Sequence, residues 1–201
     1  IFRRVVALAF AEVLAFNRHT VTQLLVVLGL VASAWSSWYR VFKRHIDMLA
    51  LSANLFSTTL EHVPPDQPYV IGVDGTQVPR TGRKIEGVGW LHTPASPVFK
   101  RGIHRAQRFL HGAWFMPTEN GYSRAMPLRF LPAFTQKARR EVSEACKEWE
   151  AALTFMRWVR TQLDAAQRSQ QAIFTLGDGG FDTLDLWKAL VGLHKVTLLV
   201  R

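Results

Sequence analysis

Apolar and polar positions divide this chain of 201 residues into a helical first part and a mixed second part. Residues 1–60 contain no Pro and one Gly, Gly29, and their apolar residues recur at helical spacing. This pattern predicts helices over about 3–16, 20–30 and 33–51. The proline-rich connector at 63–68 marks the boundary that we expect between a helical module, 1–62, and a second domain, 63–201.

The second part alternates short apolar runs with one long helical stretch. The runs predict strands at about 69–73, 84–92, 108–115, 172–176 and 196–200. Apolar residues from Ala138 to Leu163, at spacings of three and four, predict one amphipathic helix with Thr135 as a candidate N-cap. A last helix is predicted over 183–193. The order β-β-β-α-β-α-β predicts an α/β fold, in which antiparallel early strands and parallel later strands form one mixed sheet flanked by helices.

Charge is concentrated in the middle of the chain. The net charge is +10, and residues 67–140 hold twelve Lys and Arg against three acids. A single Cys excludes a disulfide framework or a thiolate zinc cluster, and an apolar share of 48% excludes a disordered basic tail. A surplus of this kind is typical of a groove for a phosphate backbone, so we expect DNA as a partner. The expected backbone contacts are Arg80, Arg83, Lys84, Arg101 and Arg105.

Two acids follow apolar strand patterns and are each followed by glycine. Asp74 comes after Val70–Val73, and Asp178 comes after Ile173–Gly177. If the two strands are parallel neighbours, both carboxylates converge at one edge of the sheet. Paired carboxylates repel each other, and a divalent cation with hard oxygen ligands relieves this, so the pair predicts a Mg²⁺ or Mn²⁺ site. The alternative is that both acids are turn or cap residues, as most Asp-Gly pairs are.

Several segments resemble the insertion-sequence transposases of the DDE superfamily. Tyr69 to Arg80 resembles the strand of their first catalytic Asp, and Leu176 to Asp182 resembles the turn of their second Asp. Arg101–Arg105 and Phe109–Trp114 resemble their middle strands. The resemblance covers about residues 60–201, and the helical start fits the N-terminal region of that family.

The resemblance implies an RNase H-like fold and metal-dependent cleavage and strand transfer of transposon-end DNA. Asp74 and Asp178 would be catalytic residues and metal ligands, and Asp182 is expected as a helix N-cap. The family also implies a homodimer in a synaptic complex and a bacterial cytoplasmic protein at the nucleoid. It requires a third acid well downstream of the second Asp, and no residue after Asp178 fits. We therefore expect that this chain is a fragment and is inactive alone. The sequence does not decide whether residues 1–62 bind DNA.

Two other functions fit parts of the same pattern. Gly177–Asp182 also matches the metal motif of haloacid-dehalogenase-like phosphatases, but Gly72 stands where their nucleophilic Asp belongs. Such a phosphatase would show a wholly parallel core. A non-catalytic DNA-binding protein with a decayed nuclease fold is the other alternative. The stretch 19–39 has no formal charge, but its uninterrupted apolar core covers only 24–32, so we expect no membrane span.

Overall fold

The protein forms two compact units, Ile1–Met48 and Leu49–Arg201, which we call the helical unit and the sheet unit. The computed structural model describes residues 2–16, 20–44, 46–82, 85–94, 96–97, 99–117, 121–134 and 147–201. Among these residues, no helix reaches the length and apolar content needed to cross a bilayer.

The helical unit is built around two packed helices. Its helices are α1 (Phe2–Leu14), α2 (Val21–Val27) and α3 (Trp35–Tyr39), and a 3₁₀ turn follows over Arg40–Lys43. The core is formed by Leu8, Ala11, Ala15, Leu24 and Leu25. Thr20 is the N-cap of α2, because its hydroxyl accepts a hydrogen bond from the backbone N–H of Gln23 at 3.3 Å.

The prediction of a single third helix over 33–51 is wrong. The helix ends after one turn at Tyr39, the 3₁₀ turn ends at Lys43, and Arg44 has an extended backbone. The segment is rich in aromatic and β-branched residues, which lose side-chain freedom in a helix. A new helix, α4 (Met48–Thr59), then begins, and a 3₁₀ turn over Leu60–His62 follows it.

One mixed sheet organises the sheet unit. Its further elements, in chain order, are β1 (Tyr69–Pro79), β2 (Gly89–His92), β3 (Ile103–Phe115), β4 (Ala125–Pro132), α5 (Glu148–Ala165), β5 (Ile173–Gly177), α6 (Leu184–Leu190) and β6 (Val196–Val200). The strand order is β2-β3-β1-β5-β6, and β4 also pairs with β3. β1, β5 and β6 are parallel, whereas β3 is antiparallel to β1, β2 and β4. This arrangement is the RNase H-like mixed sheet that the sequence predicts.

The sheet contains one strand that the sequence pattern did not predict. Pro127 and Pro132 indicated a loop, yet both lie in β4, which pairs with β3 across a register shift at Gly112/Ala113. Proline is tolerated there because β4 pairs on one side only, so that no second ladder needs its missing N–H. The antiparallel strands contradict the phosphatase alternative, which requires a wholly parallel core.

The helices α4, α5 and α6 pack on one face of the sheet. Phe56 of α4, Phe155 of α5 and Leu186 of α6 share a buried core with Tyr69 and Ile71 of β1. The side of the sheet that carries Asp74, His111 and Leu176 we call the open face. Three side chains of β5 and β6 on this face, Phe174, Leu176 and Leu199, are exposed.

The connector at 63–68, predicted to separate two domains, is held within the sheet unit. The Arg168 guanidinium donates hydrogen bonds to the backbone carbonyls of Val63 at 2.6 Å and Leu60 at 3.0 Å. The Gln171 amide donates to the carbonyls of Pro64 and Gln67. These contacts, together with the buried Phe56, place α4 and the connector with the sheet, so the division between units falls at Met48/Leu49.

The long helix before β5 is confirmed where the structure describes it. α5 begins at Glu148 behind the N-cap Lys147, whose backbone N–H donates to the Glu150 carboxylate at 2.7 Å. The predicted start, from Thr135 through Ala138, lies outside the described residues.

Candidate active site

Asp74 lies at the point where the parallel part of the sheet ends. β1 pairs with β5 from Tyr69 to Gly72, and beyond Gly72 only its pairing with β3 continues, to Pro79. The predicted end of this strand at about residue 73 is therefore wrong, because pairing with β3 extends β1 to Pro79. Asp74 is exposed, and no described residue forms a hydrogen bond or ion pair with its carboxylate.

Asp178 follows the end of β5 directly. Its Oδ1 accepts a hydrogen bond from the backbone N–H of Gly180 at 3.0 Å, which caps the 3₁₀ turn Gly179–Phe181. One carboxylate oxygen is thus used to hold the turn. The turn fixes the direction of the side chain at the end of the strand.

Both aspartates line one cavity on the open face. Gly72 pairs with Leu176, and Asp74 and Asp178 each lie two residues beyond this pair on neighbouring parallel strands. Their cavity of about 360 Å³ is otherwise lined by Gly72, Val73, His111, Ala113, Phe115, Ala125, Leu176 and Gly177. The predicted convergence of the two strand ends therefore brings both acids into the same cavity.

Gly72 shapes the wall of this cavity. The ring of Phe115 lies across β1 where a Cβ on Gly72 would stand, so any larger residue would clash with the ring. The close packing of the Phe115 ring therefore explains why glycine occupies position 72.

His111 is a cavity residue that the sequence did not single out. It is the cross-strand partner of Asp74, and its ring stacks on Phe130 with the centroids 4.5 Å apart. Its Nε2 is buried, and no partner for it is present among the described residues. The seven histidines had no metal-ligand spacing, and only the register of β3 against β1 identifies this one.

A third carboxylate, Glu148, lies close to the two aspartates. It stands in the first turn of α5, and its Oε2 accepts a hydrogen bond from Arg108 Nη1 at 3.2 Å. Burial raises the pKa of the Glu148 carboxyl above its ordinary value; Arg108 lowers this pKa, and the charges of Asp178 and Asp74 raise it further. The site is therefore locally negative in a chain whose net charge is +10.

Glu148 was not predicted, because the family resemblance requires the third acid downstream of Asp178 and Glu148 precedes it. The available signal was an acidic residue in the first turn of a helix that packs on the sheet. Within the described part of the chain, no three His, Cys, Asp or Glu residues converge closely enough to hold a metal ion together. Glu148 thus contributes charge next to the aspartate pair.

Three of the five predicted DNA-binding residues lie in the part of the chain that the structure describes. Arg80 and Arg105 are neighbours, since the Arg80 backbone N–H donates to the Arg105 carbonyl at 3.0 Å. Arg101 is exposed just before β3. Arg83 and Lys84 lie outside the described residues.

Asp182 has a different role from the expected helix N-cap. Thr183 caps α6, because its hydroxyl accepts from the Leu186 N–H at 3.4 Å. The Asp182 Oδ1 instead accepts a hydrogen bond from the Trp187 indole at 2.8 Å. The capping position is therefore taken by the hydroxyl of Thr183, one residue after Asp182.

The fold and the paired acids define an RNase H-like chain with an acidic cavity at the edge of its parallel strands. The model of the DDE superfamily endonuclease family matches residues 2–200. The chain therefore belongs to the DDE superfamily endonuclease family. No curated protein matches it at a significant level.

Two solved structures show a distant similarity. One is a pre-cleavage Mos1 transpososome, with 13% sequence identity and a TM-score of 0.28 over 96% of this chain and 57% of that chain. The other is a Mos1 transposase paired-end complex with left transposon end, with 11% identity and a TM-score of 0.28 over 96% of this chain and 56% of that chain. This chain thus spans a little over half of each, and similarity at this level carries no argument about function.

Proposed function

We propose that the sheet unit is the metal-dependent catalytic domain of a DNA transposase, with Asp74 and Asp178 as its metal ligands. The observation that supports this most directly is the shared cavity of the two aspartates on neighbouring parallel strands. Membership of the DDE superfamily endonuclease family supports nucleic-acid phosphodiesters as the substrate class.

The residues present fit a divalent cation. Both expected ligands are carboxylates, the hard oxygen donors that Mg²⁺ prefers. Asp178 uses Oδ1 to accept from Gly180, and no described residue pairs with Asp74. The negative field felt by Glu148 is the field that a bound cation would relieve.

The chain itself would position the reacting groups. Asp74 and Asp178 would hold Mg²⁺ or Mn²⁺, which would supply Lewis-acid activation of water and stabilisation of the leaving oxygen. The Asp178 turn fixes one ligand in place before substrate arrives. Phe115, Ala113 and Leu176 line this cavity with apolar side chains.

DNA as the partner is supported by the charge distribution. The segment 67–140 carries a surplus of nine positive charges, and β1 to β4 with Arg80, Arg101 and Arg105 come from it. These cations would bind the phosphate backbone and make binding strongly dependent on salt.

Metal binding tests the proposed site directly. Calorimetric titration with Mg²⁺, and Mn²⁺ titration followed by electron paramagnetic resonance, should detect binding to the parent chain. Asp74→Asn and Asp178→Asn should each weaken it by about tenfold or more, because each removes one anionic ligand. Asp185→Asn, a matched change of an exposed acid in α6, should leave the affinity unchanged.

Two results would count against the proposal. Absence of Mg²⁺ and Mn²⁺ binding to the parent chain would contradict it, and so would unchanged affinity in both site variants. DNA binding with a steep salt dependence and no response to metal would favour the decayed, non-catalytic alternative.

Strand transfer remains a prediction from the family resemblance. Because no residue after Asp178 fits the third acid, we expect the 201-residue chain alone neither to cleave nor to join transposon-end DNA. Mg²⁺-dependent cleavage of such DNA by this chain would contradict that expectation. DNA binding by 1–62, a homodimer and a nucleoid location also stay predictions.

A further inference from the structure

An exposed tryptophan lies beside an arginine at the far end of the open face. Trp90 stands within the regular strand β2, and 67% of its surface is accessible. Arg105 of β3 is its direct cross-strand partner, so both side chains project from the same face of the sheet. Single exposed apolar residues are common on protein surfaces. Here the exposed indole has an arginine as its cross-strand partner, so the two side chains form one aromatic and cationic surface.

The arginine is held in place by the backbone around it. Arg105 Nη1 donates to the carbonyl of Thr81 at 3.3 Å. Nearby, Arg80 Nε donates to Gln107 Oε1 at 3.0 Å, and Gln107 Nε2 donates to the Glu86 carbonyl at 2.7 Å. These hydrogen bonds restrain the side chains of Arg80 and Arg105 before any ligand binds, and Arg105 lines one cavity with Trp90.

The surface is concave. Val88, Gly89, Trp90 and Arg105 line a cavity of about 560 Å³. That volume lies within the range of about 300–1,000 Å³ typical of small-ligand sites.

We propose that Trp90 and Arg105 bind one unpaired nucleotide of the DNA substrate, with the base stacked on the indole and its phosphate on the guanidinium. This proposal rests on DNA being the substrate of the proposed function. An exposed aromatic ring stacks on any base, and the arginine fork matches a phosphate. Within an intact duplex both faces of each base are already covered by neighbours, so the site selects a base that is unpaired or terminal.

The position of the site relates it to the aspartates. Arg105 lies six residues along β3 from His111, the cross-strand partner of Asp74, and both point to the open face. At about 3.4 Å per residue the two points are about 20 Å apart along the strand. The unpaired nucleotide would therefore lie about 20 Å from a phosphodiester bound at Asp74.

Binding without metal tests this proposal separately from catalysis. The full chain is titrated in EDTA with three labelled DNAs: a single strand, a blunt duplex and the same duplex with a six-nucleotide overhang containing 2-aminopurine. Trp90→Ala should weaken binding to the single strand and the overhang about 5- to 100-fold, as loss of one stacked base does elsewhere. Affinity for the blunt duplex should change by less than about twofold, because phosphate contacts dominate there.

Two variants control for folding and for loss of an aromatic ring. Trp90→Phe should keep most of the overhang affinity and the quenching of 2-aminopurine. Tyr122→Ala removes another exposed ring, with 83% of its surface accessible, and should bind all three DNAs like the parent.

The results separate this proposal from the proposed function. Overhang binding by Trp90→Ala that equals the parent's would overturn the nucleotide site, and so would an equal loss on all three DNAs. Failure of Mg²⁺ binding at Asp74 and Asp178 would overturn the metal-dependent function, while a Trp90-dependent preference for unpaired DNA would still support the nucleotide site.

Discussion

The Glu148 carboxylate at the start of α5 occupies the space where a Cβ on Gly75 would stand. Gly75 directly follows Asp74 in β1, so this contact brings a third negative charge next to the aspartate pair. The same carboxylate is anchored by Arg108 of β3 at 3.2 Å. The start of α5, β1 and β3 therefore meet at one charged junction beside the cavity.

Replacing Gly75 with alanine should move Glu148 without unfolding the protein. The new methyl group meets only the end of a flexible side chain, so we expect the free energy of unfolding to change by less than about 1 kcal/mol. Displacing the negative charge should weaken Mg²⁺ binding about two- to tenfold. Gly192→Ala, with open space around the new Cβ, is the matched control for both measurements. Unchanged Mg²⁺ affinity in Gly75→Ala would show that the contact has no electrostatic role.

Glu148→Gln should stabilise the metal-free protein at neutral pH. The pKa of Glu148 is raised in the folded state, mainly by burial, so folding favours its protonated form. The stability that the protonated Glu148 carboxyl contributes is fully present below the pKa of an unfolded Glu, about 4.3. This stability is lost as the pH rises through the higher pKa of Glu148 in the folded state. Gln is neutral throughout, so in EDTA we expect a higher melting temperature at pH 7 and little difference near pH 4. Glu61→Gln, the same change at an exposed site, should show no such trend. A lower melting temperature of Glu148→Gln at pH 7 would contradict this interpretation.

The sequence predicted the aspartate pair because its signal is local. An apolar run that ends in Asp-Gly can be read from a few residues, whereas the parallel pairing of β1 and β5 was a condition that only the structure supplies. Glu148 has no such signal. Its place beside Gly75 depends on how α5 docks across β1 and β3, a contact between residues 73 positions apart.

The contacts that hold the connector at 63–68 also leave no local signal in the sequence. Pro64 and Pro65 are typical of a linker, and nothing near them in sequence shows that their segment is held. The side chains that hold it, Arg168 and Gln171, come from more than 100 residues downstream. β4 was missed for a different reason, since prolines at a strand edge look the same in sequence as prolines in a loop.

The Arg168 contacts should contribute strongly to the stability of the sheet unit. Its guanidinium satisfies two backbone carbonyls, at Leu60 and Val63, and hydrogen bonds from charged groups are worth more than neutral ones. We expect Arg168→Met to lower the free energy of unfolding by about 2–3 kcal/mol in urea titrations. Arg157→Met changes an exposed arginine of α5 and should cost less than about 0.5 kcal/mol. Equal stabilities of the two variants would show that the connector is held by other contacts.

The buried hydroxyl of Tyr69 should make the protein sensitive to alkaline pH. Tyr69 lies in the core beneath α4 and shares a hydrogen bond with the Thr59 hydroxyl. Burial raises the pKa of Tyr69 well above its ordinary value, against smaller lowering effects of Thr59 and Arg168. The folded state therefore keeps the phenol neutral, while the unfolded chain ionises it above about pH 10.

A raised pKa means that the stability contributed by this phenol is present below pH 10 and is lost as pH rises further. Tyr69→Phe removes the hydrogen bond at a cost of about 1 kcal/mol at pH 8. It also removes the ionisation, so above pH 10 the parent should lose stability faster than the variant, by up to about 1.4 kcal/mol per pH unit. Urea unfolding at pH 8, 10 and 11 measures both effects, with the exposed Tyr122→Phe as the control. Parallel pH profiles for the parent and Tyr69→Phe would contradict the assignment, because the phenol would then ionise equally in both states.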